Sequence, residues 1–233
     1  MIDLPAPGTI RIVCVGNTLD GQPFDGCAPD EVARLSLRCG LPTPPRQAIQ
    51  EHGTRIDRCG DGLACDAFYL TAGQSALVRH ADCMPLVVCD AVAERAVVAH
   101  CGWRGIQAGL PAKCVDLLVF EGSRKEDLRV LAGPAIGKRS FEVSEDFQAG
   151  FPQSSWSTTA WGTPAVDLAS VVASQLAQAG LPPESWMPSE IDTFTDPAWH
   201  SHRRTGTPQR NATLCWIPTT ADTSRTNRNL LLP

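Results

Sequence analysis

The residues able to do chemistry crowd into one stretch, Arg79 to Gly105, where Cys83 and His100 sit at the ends of two short apolar runs. A thiol and an imidazole delivered by rigid elements suit metal ligation or nucleophilic catalysis. A second imidazole, His52, lies in QEHGT, where Gly53 lets the chain turn sharply beside the ring. Two imidazoles and a thiolate leave one tetrahedral position open, the arrangement of a catalytic rather than a structural zinc. Separations of 31 and 17 residues match no general zinc signature, so spacing alone does not assign the set. Cys83 beside a histidine also reads as a thiolate–imidazolium nucleophile, but a metal accounts for His52 as well as His100. After His100 the chain runs Gly102, Trp103, Arg104 and Gly105 into a predicted helix, a turn that sets a guanidinium beside backbone amides and suits an anion.

These side chains need stiff supports, and the hydrophobic pattern supplies them. Ser75 to Arg79, Pro85 to Cys89 and Ala96 to His100 predict three closely spaced strands, with Asp90 to Glu94 as a polar turn. Further strands are predicted over Thr9 to Val15, Leu128 to Ala132 and Ala212 to Ile217. Helices are predicted over Asp30 to Cys39, over Ile106 to Phe120, and from an Asp167 cap through Leu168, Val171, Val172 and Leu176 to a stop at Gly180. Turn signals recur without a linker or a repeat, which predicts one compact α/β (α+β) domain over 1–218, with mixed β-sheets flanked by helices and a polar tail over 219–233.

With 233 residues and 43% hydrophobic content the chain can bury a substantial core. Its formal net charge of −5 argues against nucleic acid or an anionic membrane as partner, leaving small molecules. Ten cysteines are scattered without a CxxC pair, so they read as free thiols of a reducing compartment, with Cys14, Cys89, Cys114 and Cys215 in apolar surroundings. The N-terminus lacks the basic start and apolar core of a signal peptide, and the expected location is the cytoplasm.

QEHGT, DGLAC at Asp61 to Cys65, ADCMPLVVCD at Ala81 to Asp90, AHCGWRG at Ala99 to Gly105 and GPAIGKRSFEV at Gly133 to Val143 occur in this order. Together they closely resemble the YfiH family, also called laccase-domain or polyphenol oxidase-type proteins. Asp192 to Arg204 resembles the family's C-terminal motif, ending here in Ser201, His202, Arg203 and Arg204. The resemblance spans about 46 to 217 and implies the fold grouped with cysteine hydrolases of the cytotoxic necrotizing factor type. It implies a zinc-bearing protein with His52, Cys83 and His100 as ligands. The implied activity is phosphorolysis of adenosine, inosine and methylthioadenosine, with adenosine deamination; a copper-dependent phenol oxidase and a hydrolase editing peptidoglycan precursors are the alternatives. This chain departs from the family pattern at Cys65, Cys101, Ala135, Asp192, Thr193, Trp199, His200 and His202, which places its differences near a substrate pocket at 192–204.

Roles follow for the remaining residues. Arg104 is the first candidate to hold phosphate, Arg203 and Arg204 the second, and Gln50 beside His52 is grouped with them for substrate binding. Asp61 and Asp82 are candidates to orient the ligand imidazoles or to shuttle protons, although each also suits an ordinary turn. Gly133, Pro134 and Gly137 could line an anion cradle. His80 either faces the site or packs, and His200 and His202 as added ligands would favour copper. Oligomeric state is left open.

Overall fold

The computed structural model describes residues 1–58 and 64–219. Asp61 and the expected tail beyond Thr219 therefore lie outside the described residues.

Apolar residues at consecutive positions of the central strands fold into layers because each face of a strand meets a different partner. In the Met84–Asp90 strand, Leu86 and Val88 join one core cluster while Val87 and Cys89 join another. The Arg95–Cys101 strand does the same, with Val97, Ala99 and Cys101 on one side and Ala96 and Val98 on the other. Among the described residues these strands lie at the centre of a six-stranded sheet, in the order Trp186–Met187, Leu128–Ala132, Met84–Asp90, Arg95–Cys101, Ala67–Thr71 and Ile56–Asp57. Its central pairs are antiparallel and its outermost pairs parallel.

A four-stranded antiparallel sheet packs against it, in the order Ile2–Asp3, Arg11–Val15, Asn211–Trp216 and Ser75–His80. Ile12, Ala76, Val78 and Cys215 meet Phe68, Leu70, Val87 and Val98 between the sheets. The opposite face, with Val13, Val15, Leu77 and Leu214, is covered by Val32 and Leu35 of the Pro29–Arg38 helix. The outer face of the larger sheet is covered by the Leu110–Phe120 and Leu168–Gln178 helices through Cys114, Val115, Leu118, Val172 and Leu176. Helix, sheet, sheet and helix thus form the mixed α/β architecture expected from the pattern.

Most expected elements form within a residue or two of their predicted ends. Asp167 caps its helix by accepting from the Ser170 amide at 3.1 Å, and Gly180 ends it at a positive φ of 82°. One helix is corrected: Ile106 to Phe120 is broken into Trp103–Gln107 and Leu110–Phe120, because Gly109 adopts φ 79° and Pro111 starts the second helix. The Ala67–Thr71 strand had no counterpart in the sequence pattern, although it pairs along its whole length with Arg95–Cys101.

The layers bring several strand ends together. Pro85 pairs with His100 across the larger sheet, and Asn211 pairs with His80 across the smaller one. One edge of the double sheet therefore carries the ends of the 80, 84, 101 and 211 strands.

Candidate metal centre

Cys83 sits in the turn between the Ser75–His80 and Met84–Asp90 strands, directly after Asp82, whose φ is 83°. His100 is the penultimate residue of its strand and 3% exposed. His52 enters from a loop in a left-handed conformation, φ 60°. Their ligand atoms, two imidazole nitrogens and one sulfur, all lie within 4.8 Å of one another. The two rings meet edge to face with centroids 4.8 Å apart. Gly102 makes this approach sterically possible: a Cβ there would stand 2.7 Å from His52 Cδ2 and 3.3 Å from Cys83 Sγ.

Asp66 fixes the set. Its carboxylate accepts the His52 amide at 2.9 Å and the Gly53 amide at 2.7 Å, shaping the loop that carries His52. The same group accepts from His100 Nδ1 at 2.9 Å, and its backbone carbonyl accepts the His100 amide at 2.7 Å. With Nδ1 occupied, His100 is left with Nε2 for a ligand role, the usual carboxylate–histidine pairing of metal sites. Burial pushes the Asp66 carboxyl up, but the His100 and backbone hydrogen bonds outweigh it and hold it below its ordinary value. Burial likewise pushes the Cys83 thiol up, and hydrogen bonds to His100 and His52 bring it down to about 6. For His100, burial lowers the pKa and the bonds to Asp66 and Cys83 raise it to about 9. A deprotonated sulfur and two oriented imidazoles fit a soft or borderline divalent metal.

The structure redistributes the other candidates. Asp82 does not orient an imidazole: its carboxylate accepts the Thr193 hydroxyl at 2.8 Å and the Arg203 amide at 2.6 Å, tying the 193–203 segment to the cysteine turn. Gln50 lines the cavity, yet its amide is committed to Arg79, donating to the carbonyl at 2.7 Å and accepting the amide at 2.8 Å. Arg204 is a structural clamp, donating to the carbonyls of Thr193, Phe194, Asp196 and Trp199. The anion cradle at Gly133 to Gly137 does not form as expected, because the amides of Gly133, Ala135 and Ile136 donate to Pro85, Ile191 and Asp82. Gly137 is small for packing, since a Cβ there would stand 2.6 Å from Asp192 Oδ2.

His80 is buried against Thr213 Oγ1 at 3.0 Å, and His200 bonds the Phe24 carbonyl at 2.8 Å. Among the described residues His52, Cys83 and His100 form the one cluster of such donors, so neither histidine joins the set. Cys65 and Cys101 are buried in the cores.

The cluster opens into a cavity of about 560 Å³. Ile49, Ile136, Trp103 and Phe141 supply apolar wall, and Arg104 and Arg203 stand at its exposed side. Each of these guanidinium groups lies over an aromatic ring of the same wall, Arg104 over Trp103 at 4.3 Å and Arg203 over Phe141 at 5.4 Å. Arg79 and Arg210 also line the cavity, and the sequence pattern had singled out neither.

A double-sheet α/β fold with a His–Cys–His cluster at its strand ends defines a laccase-domain protein of the YfiH type. The chain belongs to the family described as multi-copper polyphenol oxidoreductase laccase, whose profile matches residues 30–218. It is 33% identical over 202 residues to a purine nucleoside phosphorylase of Mycobacterium tuberculosis, covering 79% of this chain and 77% of that one. A purine nucleoside phosphorylase of Pseudomonas aeruginosa is 30% identical over 237 residues, covering 92% and 96%. The fold is also that of the crystal structure of YlmD from Geobacillus stearothermophilus, with a TM-score of 0.76 at 24% identity over 92% and 94% of the two chains. Among the described residues no helix is long and apolar enough to cross a membrane.

Proposed function

We propose that this cavity is the active site of a zinc-dependent purine nucleoside phosphorylase acting on adenosine, inosine and methylthioadenosine, with adenosine deamination as a further reaction of the same site. The observation that carries the reading is the placement of the His52–Cys83–His100 cluster in a 560 Å³ cavity with apolar and cationic walls, a volume suited to a small-molecule substrate. Family membership and relatives named purine nucleoside phosphorylases support it.

In phosphorolysis a phosphate oxygen bonds to the ribose anomeric carbon while the glycosidic C–N bond breaks and its electron pair leaves with the purine. Trp103, Phe141 and Ile136 exclude water, and the two aromatic rings offer flat apolar surface to the base. Arg104 and Arg203 hold phosphate, the guanidinium fork matching its oxygens. His52, Cys83 and His100 hold the metal, and Asp66 keeps His100 in the ligating tautomer. A zinc ion bound there supplies Lewis acidity. Phenol oxidation coupled to oxygen reduction calls for several copper ions, and the described residues provide one cluster of three donors.

The test combines metal analysis of the purified protein with product detection after incubation with adenosine and phosphate. One zinc per chain, with adenine and ribose 1-phosphate formed, is the expected result; inosine would report deamination. Full adenosine phosphorolysis by metal-free protein would overturn the reading.

A second reading rests on the Cys83 thiol itself, held at about 6 between two imidazoles, which suits a cysteine hydrolase acting on an amide. An acyl adduct trapped on Cys83 would favour it.

A further inference from the structure

Arg79 and Arg210 stand apart from Arg104 and Arg203 in one respect. They line the same cavity but are half-buried, whereas the other two are exposed. Among the described residues none of these four guanidinium groups has a carboxylate within ion-pairing distance, in a chain whose net charge is −5. The cavity's own carboxylate, Asp82, is occupied by Thr193 and the Arg203 amide.

Topology brings the half-buried pair to one end of the smaller sheet. Ala212 faces Arg79 across the antiparallel ladder, and Arg210 lies two residues before Ala212, just outside the Asn211–Trp216 strand, so both reach the same cavity from that end. Like charges lining one cavity repel, and partial burial without a counter-charge increases the cost. Both are nevertheless held in place. Arg79 donates one nitrogen to the Ala48 carbonyl at 2.6 Å and has its backbone locked by Gln50. Arg210 donates from Nη1 to the carbonyls of Thr207 and Gln209. Among the described residues the other guanidinium nitrogens of each make no hydrogen bond to the protein.

Phosphorolysis of an uncharged nucleoside brings one phosphate, the anion assigned above to Arg104 and Arg203. We infer that Arg79 and Arg210 form a second anion subsite, and that the cavity accepts a nucleoside bearing its own phosphate ester, of the nucleoside 5′-monophosphate class. This rests on the proposed nucleoside chemistry, but the subsite is read by binding and not by turnover.

The experiment is calorimetric titration of the metal-loaded protein with adenosine, adenosine 5′-monophosphate and inorganic phosphate, repeated with R210Q and R79Q/R210Q after confirming cooperative melting. The monophosphate is expected to bind at least about tenfold more tightly than adenosine. R79Q/R210Q should remove that advantage and leave adenosine affinity unchanged. R210Q, which keeps the Arg79–Ala48 contact, should lose part of it and secures the test should the double variant fail to fold. Equal binding of adenosine and its monophosphate, or an advantage that survives both variants, would overturn the inference. So would loss of inorganic phosphate binding without any monophosphate advantage, which would make the pair the co-substrate site. Binding with the expected ranking but no turnover of any nucleoside would instead count against the phosphorylase reading alone.

Discussion

His100 donates from Nδ1 to the Asp66 carboxylate at 2.9 Å, and the same carboxylate holds the amides of His52 and Gly53. One buried side chain thus orients one imidazole and shapes the loop bearing the other.

Asp66→Asn should lower metal affinity by about 10- to 100-fold, the usual cost of losing a carboxylate behind a ligating histidine. The amide can still accept one backbone donor, so the protein should fold, with stability reduced by about 2–3 kcal/mol. Metal titration and chemical denaturation of the same preparation check both numbers.

Gly102→Ala should displace His52, because the new Cβ would stand 2.7 Å from His52 Cδ2. The expected outcome is loss of metal and of activity with a modest drop in melting temperature. Retention of full metal content would show that the His52 loop moves freely.

In metal-free protein the Cys83 thiol should react with iodoacetamide with an apparent pKa of about 6, while the buried Cys14, Cys89 and Cys114 thiols, pushed up to about 12 by burial, stay inert. Mass-spectrometric labelling across pH 5 to 9 reads this directly. Zinc loading should suppress it.

His80 should make the fold acid-sensitive. Burial holds its pKa at about 3 against 6.5 for the free side chain, so below pH 6.5 the unfolded chain binds a proton that the native one refuses. Stability from this group is therefore lost as pH falls from 6.5 towards 3. His80→Asn should flatten the dependence of melting temperature on pH across that window. An unchanged slope would assign the acid sensitivity elsewhere.

Asp82→Ala should loosen the 193–203 segment by freeing Thr193 and the Arg203 amide. Its signature is a raised KM for phosphate with metal content unchanged. Arg204→Lys should instead cost stability, about 2 kcal/mol, since one ammonium cannot satisfy four carbonyls.

Much of the fold was legible because burial leaves a local trace. Val87, Val88, Val97 and Val98 run without polar interruption because both faces of their strands are covered, and the Leu168–Gln178 helix shows its stripe, cap and stop. The break at Gly109 has its own local signal, Gly109 followed by Pro111, which the reading of one continuous helix over Ile106 to Phe120 passed over. His52, Cys83 and His100 were placed by the resemblance of their surrounding motifs, not by their spacing.

By itself the sequence determined the mixed α/β layering, the strand ends that carry Cys83 and His100, and the residue types of the metal set. Only the tertiary structure decided that Asp66 rather than Asp82 orients an imidazole, that Gln50 and Arg204 bind backbone, and that Arg79 and Arg210 face the cavity. The physical reason is range. Hydrophobic period and capping act over a few residues, whereas Asp66 meets His100 across 34 positions and Arg79 and Arg210 come to one cavity only through the pairing of two distant strands.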